Sequence, residues 1–254
     1  MKFKGIIPAR YASSRFPGKP LALIGSQTMI ERVYRQASKE LDDVVVATDD
    51  ERIAEAVKAF GGQAVMTSAS HRSGTDRCRE AYVNTGSNAD VVINIQGDEP
   101  FIAPEQIAAL KGCFDDEDVD IATLARPFDP SRGFEALFDP NTPKLVTDNK
   151  MNAMYFSRSI IPYVRNYPHT EWLEHANFLT HVGLYAYRAK TLEEITKLPQ
   201  SPLEIAESLE QLRWLQNGYK IRVALTTQPT IGIDTPADLE AAIKYLEKTE
   251  KDNA

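Results

Sequence analysis

The chain has 254 residues, with 29 Lys and Arg against 36 Asp and Glu, for a formal net charge of -7 at pH 7. That length can bury a sizeable core, and the acidic balance excludes a general nucleic-acid binder, which needs a broad basic stripe. The opening apolar run is too short for a signal peptide and no run of about 18 apolar residues occurs, so a soluble cytoplasmic protein without a membrane partner is expected.

Short runs rich in Val and Ile at 3–9, 44–48, 63–66, 91–96 and 121–124, mostly without polar alternation, predict strands buried on both faces of a parallel sheet. Helices are predicted between them at 29–39 after Thr28, at 50–60 ending at Gly61-Gly62, at 75–83, and at 104–111 ending at Gly112. Thr28 caps its helix in this reading, and Gly61 and Gly112 stop theirs. Strand alternating with helix makes this a doubly wound, mostly parallel α/β sheet. Beyond Pro127, strands at 144–147, 153–156 and 182–187 are separated by long polar loops containing proline, which predicts a mixed or antiparallel extension. The stretch 202–215 reads as one helix with Leu203, Ile205, Ala206, Leu209, Leu212 and Leu215 as its apolar face. A strand at 221–225 follows, and Thr235-Pro236 starts a final helix, threonine as cap and proline in the first turn. No linker, internal repeat or low-complexity segment divides the chain, so 1–254 is read as one domain. Cys78 and Cys113 form no paired framework and no CxxC site, and are read as reduced thiols.

The segment from Ile6 to Pro20, directly after the first strand, concentrates Arg10, Arg15 and Lys19 with the hydroxyls of Ser13 and Ser14. A loop held by a sheet lets such cations converge on one anion, and Gly18 permits close approach. Pro8, Pro17 and Pro20 stiffen it, which is wasted on a merely solvated loop. It is no Walker A loop, because Pro20 follows Lys19, and no dinucleotide fingerprint, because GxGxxG is missing. Gln96-Gly97-Asp98-Glu99-Pro100 ends a predicted parallel strand, where α/β sheets bind ligands, and Asp98 is a hard oxygen ligand suited to Mg²⁺. On its own the same run also fits a plain turn. Asp234, after an apolar run and before a capped helix, fits either a second metal carboxylate or a helix N-terminal charge. Ser70 to Arg77 reads unaided as a helix start capped by Ser73 or Thr75. Arg158, His181, Tyr185, Glu210 and Gln211 combine a cation with hydrogen-bonding groups, though each also fits ordinary packing or an exposed helix face. His71, His169 and His175 have no zinc spacing, and no Ser-His-Asp or Cys-His pairing can be argued.

Several motifs run in order along nearly the whole chain: the Ile6 to Pro20 segment, Val46-Ala47-Thr48-Asp49, Ser73-Gly74-Thr75-Asp76-Arg77, Gln96-Gly97-Asp98-Glu99-Pro100 and Tyr155-Phe156-Ser157-Arg158. They continue in His181-Val182-Gly183-Leu184-Tyr185, Leu209-Glu210-Gln211-Leu212-Arg213 and Gly232-Ile233-Asp234-Thr235-Pro236. Together they resemble the cytidylyltransferases that activate acidic sugars, above all those acting on 3-deoxy-manno-octulosonate (Kdo). The resemblance implies a Rossmann-like fold of the nucleotide-diphospho-sugar transferase type, with 1–126 as the nucleotide half, 127–225 as the acceptor and dimerisation half, and 226–254 returning to the core. It implies transfer of CMP from CTP to Kdo for lipopolysaccharide synthesis. Ala9, Arg10, Ser13, Arg15, Lys19, Arg72, Ser73, Gly74 and Gln96 would hold the nucleotide, with Arg10, Lys19 and Asp98 catalytic. Gln96, Arg158, His181, Tyr185, Glu210 and Gln211 would hold the sugar, Asp98 and Asp234 would hold Mg²⁺, and the chain would form a homodimer.

Four alternatives are weighed at this level. A sialic acid cytidylyltransferase shares the build, and an amino-sugar analogue of Kdo differs from Kdo by a contact or two. A sugar-1-phosphate nucleotidyltransferase usually carries a GxGTR-like loop where this chain has Pro8-Ala9-Arg10-Tyr11. A non-catalytic nucleotide-binding module needs neither aspartate nor Lys19.

Overall fold

The computed structural model describes residues 1–12 and 15–252; Ser13, expected at the nucleotide, lies outside the described residues. The chain forms two compact units, one of residues 1–108 with the stretch from Pro229 onward, the other of Ala109–Gln228.

In the first unit β1 (Phe3–Ala9) leads through a small hairpin of β2 (Leu23–Ile24) and β3 (Gln27–Thr28) into helix α1 (Met29–Ala37). Next come β4 (Val44–Thr48), α2 (Glu51–Ala59), β5 (Ala64–Met66), α3 (Gly74–Asn84) and β6 (Val91–Asn94). β1 lies parallel to both β4 and β6, and β5 extends the sheet beyond β4. Every residue of β4 and of β6 is buried, which is why these strands read as unbroken apolar runs. Each helix starts on a side-chain cap: Thr28 Oγ1 accepts from Glu31 N, Asp50 from Arg52 N and Ser73 from Asp76 N. Of the two caps considered for α3, Ser73 is the one used, and Thr75 is buried inside the helix. The C-terminal helix, Pro236–Asp252, is held by a core of Ile24, Met29, Ile233 and Ala242, with Thr235 Oγ1 accepting from Asp238 N at 3.3 Å.

Helix α4 (Pro104–Gly112) corrects one expectation. Gly112 does not stop it: the glycine has φ -60 and ψ -24, and the chain winds on through a 3₁₀ turn at Cys113–Asp115. Burial of Cys113 and Phe114 favours the continued turn over the left-handed exit that a glycine cap needs. Gly61, with φ +83, does end its helix as expected.

The second unit contains β7 (Ile121–Pro127), β8 (Lys144–Thr147), β9 (Ala153–Ser157) and a short helix α5 (Trp172–His175). β10 (Leu179–Arg188), α6 (Ala189–Ile195), α7 (Pro202–Glu207), α8 (Gln211–Gln216) and β11 (Ile221–Leu225) follow. β11 is parallel to β7, while β7–β10, β10–β8 and β8–β9 are antiparallel. An antiparallel bridge between Asn152 and Arg222 brings the start of β9 back to β11, so the pairings close into a ring. This is the mixed sheet expected beyond Pro127.

The single helix expected at 202–215 is two. Ser208, in the left-handed region at φ 50 and ψ 48, breaks it between α7 and α8. A capping box of Ser201 and Glu204 starts α7, and Arg213 reaches back with Nε 2.8 Å and a terminal nitrogen 2.6 Å from the Glu204 carboxylate. This buried bidentate pair holds the two short helices against each other.

Candidate active site

The basic loop is closed at its neck by Gly18 N donating to Tyr11 O at 2.9 Å, and the Arg52 guanidinium lies 3.3 Å over the Tyr11 ring. Gly18 sits at φ +72, and an added Cβ there would stand 3.2 Å from the Tyr11 ring, a place that favours glycine. From this neck Lys19, 14% exposed, sends Nζ to Asp98 Oδ2 at 2.8 Å and Asp234 Oδ1 at 3.2 Å. Arg15 joins the other oxygen of Asp234 at 3.1 Å. Arg10 departs from the expected convergence: its guanidinium donates to the backbone carbonyl of His71 and is partly buried near Arg77, Asp49 and Asp76. Burial, and then the Arg77 charge, lower its pKa. Ala9, the last residue of β1, is buried and positions Arg10 through the backbone alone.

Asp98 owes its place to Gly97. A Cβ at residue 97 would stand 2.8 Å from the Pro8 carbonyl oxygen, so only glycine lets this turn pass so close to β1. Asp234 is brought in by Ile233 N donating to Asp98 O at 3.0 Å. Glu99 beside Asp98 is pushed up to about 7, by burial first and then by the Asp98 charge. Gln96 is half-buried at the same strand end, and the buried Asn94 has Oδ1 without a hydrogen-bond partner among the described residues.

In the loop ahead of α3, Ser73 is engaged as helix cap, Gly74 opens the helix and Arg72 is exposed. Arg77 is anchored instead: fully buried, it donates to Thr67 Oγ1 at 2.7 Å and Asp49 Oδ2 at 3.0 Å. His71 is tied through Nε2 to the Glu80 carboxylate, which steadies the carbonyl that Arg10 holds.

In the second unit, burial pulls the His181 pKa down to about 3, so the imidazole is neutral at pH 7, with Nε2 3.0 Å from Thr123 Oγ1. Tyr185 is buried between Tyr187 and Trp214 and its hydroxyl has no hydrogen-bond partner among the described residues. Burial, then the Glu210 charge, hold that phenol well above its ordinary pKa, with the neighbouring Thr123 hydroxyl opposing them weakly, so it keeps its proton. Gln211, also buried, leaves Nε2 unpartnered, and Glu210 occupies the cap of α8.

Arg158 departs furthest from expectation. Its guanidinium, read as the cation of the acceptor-sugar group, donates to three backbone carbonyls: Glu207 at 2.6 Å, Pro140 at 2.7 Å and Ser208 at 3.1 Å. It therefore braces the left-handed break that sets Glu210 and Gln211. Glu207 reciprocates, accepting from Arg158 N and Ser157 Oγ. Buried Lys144 caps the carbonyls of Asp139, Thr142 and Arg158, its pKa lowered by burial. Thr123, Glu207 and Lys144 were not singled out in the sequence, where nothing local distinguishes them from packing and loop residues.

Two carboxylates that already converge on one cation, Lys19 Nζ, form a donor set that Mg²⁺ accepts. No cluster of three or more His, Cys, Asp or Glu suited to a metal occurs among the described residues. Magnesium commonly takes one or two carboxylates and fills its shell with phosphate and water, so Asp98 and Asp234 fit it.

A parallel sheet ending in a lysine shared by two aspartates marks a nucleotide-handling transferase of the α/β class. The family model for cytidylyltransferases matches residues 4–221, and the chain belongs to that family. It is 64% identical over 247 residues to the 3-deoxy-manno-octulosonate cytidylyltransferase of Parabacteroides distasonis, spanning 97% of this chain and 98% of the relative. The enzyme of the same name from Bacteroides thetaiotaomicron is 60% identical over 246 residues, with 97% and 98% covered. Among solved structures, a CMP:2-keto-3-deoxy-manno-octonic acid synthetase complexed with CTP superposes with a TM-score of 0.90 at 43% identity, covering 98% of this chain and 100% of that one. A glucose-1-phosphate thymidylyltransferase from Bacillus anthracis shares the fold alone, with a TM-score of 0.64 at 17% identity and 96% and 94% covered.

Proposed function

We propose that the chain transfers CMP from CTP to Kdo, releasing pyrophosphate and supplying activated Kdo for lipopolysaccharide synthesis. The observation that carries this reading is Lys19 shared by Asp98 and Asp234, side chains up to 215 positions apart in sequence, in a chain alike along its length to enzymes named for that reaction. Arg10, Arg15 and Lys19 neutralise the phosphates of CTP, and the Arg72-Ser73-Gly74 loop with Gln96 reads cytosine and ribose. His181, Tyr185, Glu210 and Gln211 hold the sugar, and Arg158 holds the backbone that aims the last two.

The reaction joins the 2-hydroxyl oxygen of the sugar to the α-phosphorus and breaks the bond to pyrophosphate, the hydroxyl proton passing to solvent. Protein side chains contribute positioning and charge neutralisation, the usual means of catalysis in phosphoryl-type transfer. Mg²⁺ held by Asp98 and Asp234 would supply charge neutralisation at the phosphates and would make the attacking hydroxyl more acidic. Lys19, beside both aspartates, is placed to neutralise the leaving phosphates. On this reading the protein acts in the cytoplasm as a homodimer; among the described residues no helix is long and apolar enough to cross a membrane.

Pyrophosphate release with CTP and Mg²⁺ tests this, with Kdo, 8-amino-Kdo, sialic acid and a hexose 1-phosphate offered in parallel. Release with Kdo is expected. Release only with a hexose 1-phosphate, or none at all, refutes the reading.

A further inference from the structure

Strand β10 does not run evenly along β7. Val182 stands opposite Leu124 and Tyr185 opposite Thr123, so Gly183 and Leu184 bulge out of register. The Thr123 side chain fills the bulge. Its hydroxyl donates to Leu184 O at 2.9 Å, with Val182 O at 3.3 Å, and the same oxygen lies 3.0 Å from His181 Nε2.

A threonine hydroxyl has one proton, and a carbonyl can only accept. Once that proton is given to Leu184 or Val182, the oxygen has only lone pairs left for His181. Nε2 must therefore carry the imidazole hydrogen. A neutral ring holds one N–H, so Nδ1 is left with its lone pair. The imidazole makes no other hydrogen bond among the described residues, and the Phe156 ring meets it edge-on with centroids 5.1 Å apart. Tyr185, its ring centroid 5.4 Å from that of His181, keeps its proton, and its hydroxyl, beside Thr123 but with no hydrogen bond of good geometry among the described residues, is open to a further partner.

We propose that Thr123 is a positioning residue that fixes His181 in the Nε2-protonated tautomer, so that Nδ1 accepts a hydrogen bond from a hydroxyl of the acceptor sugar. The inference rests on the acceptor-sugar reading of His181 given above. Nδ1 accepts and Tyr185 donates, and a sugar hydroxyl, which does both, answers the pair. A carboxylate or phosphate oxygen, which only accepts, leaves Nδ1 unsatisfied. Specificity for a hydroxyl thus comes from a threonine that need not touch the sugar.

The test compares wild type with Thr123→Val, which keeps the shape without the hydroxyl, and Thr123→Ser, which keeps the hydroxyl. Two measurements are made: the protonation of each His181 ring nitrogen by ¹⁵N-resolved NMR at pH 7, and pyrophosphate release at saturating CTP as Kdo is varied. The wild-type ring is expected to carry its proton on Nε2. Thr123→Val is expected to raise KM for Kdo about tenfold, the size of one well-made hydrogen bond, while KM for CTP and the values in Thr123→Ser stay within about twofold. A proton on Nδ1 in wild type overturns the inference even if the variants fail to fold. So does an unchanged KM for Kdo in Thr123→Val, or an equal rise in Thr123→Ser. Failure of wild type to release pyrophosphate with Kdo refutes the functional reading instead, and the ring spectrum still judges the hold of Thr123 on His181.

Discussion

Lys19, Asp98 and Asp234 in the first unit and His181, Tyr185 and Gln211 in the second are both polar clusters, yet they solve opposite problems. In the first, full charges pair while still partly open to water: the Asp98 and Asp234 side chains keep 33% and 50% of their exposure. Such pairs are individually weak and are readily exchanged for a phosphate or a metal ion. In the second, the groups are neutral, Tyr185 and Gln211 are buried and His181 is partly so, and two of them end in polar atoms without partners of good geometry among the described residues. A buried donor left unmade costs about 1–3 kcal/mol, so a ligand that satisfies it gains affinity and one that does not is rejected. Charge therefore supplies reactivity in one cluster, and hydrogen-bond complementarity supplies selectivity in the other.

The contrast breaks most sharply at Asp98. Asp98→Asn keeps the shape and removes the charge, and turnover should fall about a thousandfold or more, several kcal/mol of lost charge stabilisation, with the melting temperature nearly unchanged. Steady-state assays beside thermal unfolding check this; near-normal turnover removes Asp98 from the reaction. Lys19→Met should lower kcat/KM for CTP about ten- to a hundredfold, the worth of a charge-assisted hydrogen bond, without altering KM for the sugar. An equal rise in both KM values would erase the division of labour between the clusters.

Gly97→Ala tests the scaffold beneath the first cluster. The new methyl meets the Pro8 carbonyl at 2.8 Å, and the shift it forces should cost about 1–3 kcal/mol of stability, read as a lower melting temperature. Tyr185→Phe sharpens the second cluster because its two readouts part. Deleting a buried hydroxyl that has no partner should leave the free protein as stable or more so, whereas KM for the sugar should rise about three- to tenfold. A destabilised variant would mean that the hydroxyl already bonds within the fold.

Where structure follows from neighbours in sequence, it was legible. β1, β4, β8 and β11 begin and end where the apolar runs do, and Thr28, Ser73 and Thr235 cap the helices they precede. Asp98 and Asp234 were recognisable as strand-end carboxylates, though nothing local says that one lysine joins them. What escaped depends on distant partners. The break at Ser208 defies an apolar pattern that continues through Leu209 and Leu212, because Arg158 and the Glu204–Arg213 pair hold it open. Arg158 has the side chain of a carboxylate binder, and only the fold supplies the three carbonyls that claim it.

The smallest effect belongs to His181 and fixes the sign of the second cluster's pH response. Its pKa is near 3 when folded against an ordinary value of 6.5, so between those values the unfolded chain binds a proton that the folded one refuses. Stability from this group is fully present above pH 6.5 and is lost as pH falls, with a slope approaching about 1.4 kcal/mol per pH unit well below 6.5. From pH 7.5 to 6 the loss is less than about 1 kcal/mol. Urea unfolding across that range should show this decline as a difference, wild type losing stability relative to His181→Gln, which carries no titrating ring, as pH falls. Glu99, raised to about 7 when folded, works the other way across the same range, because it holds a proton that the unfolded chain has released, so its contribution grows as pH falls and must be common to both proteins compared. A difference between wild type and His181→Gln that does not change with pH would mean that the ring is less sheltered from water than its burial implies.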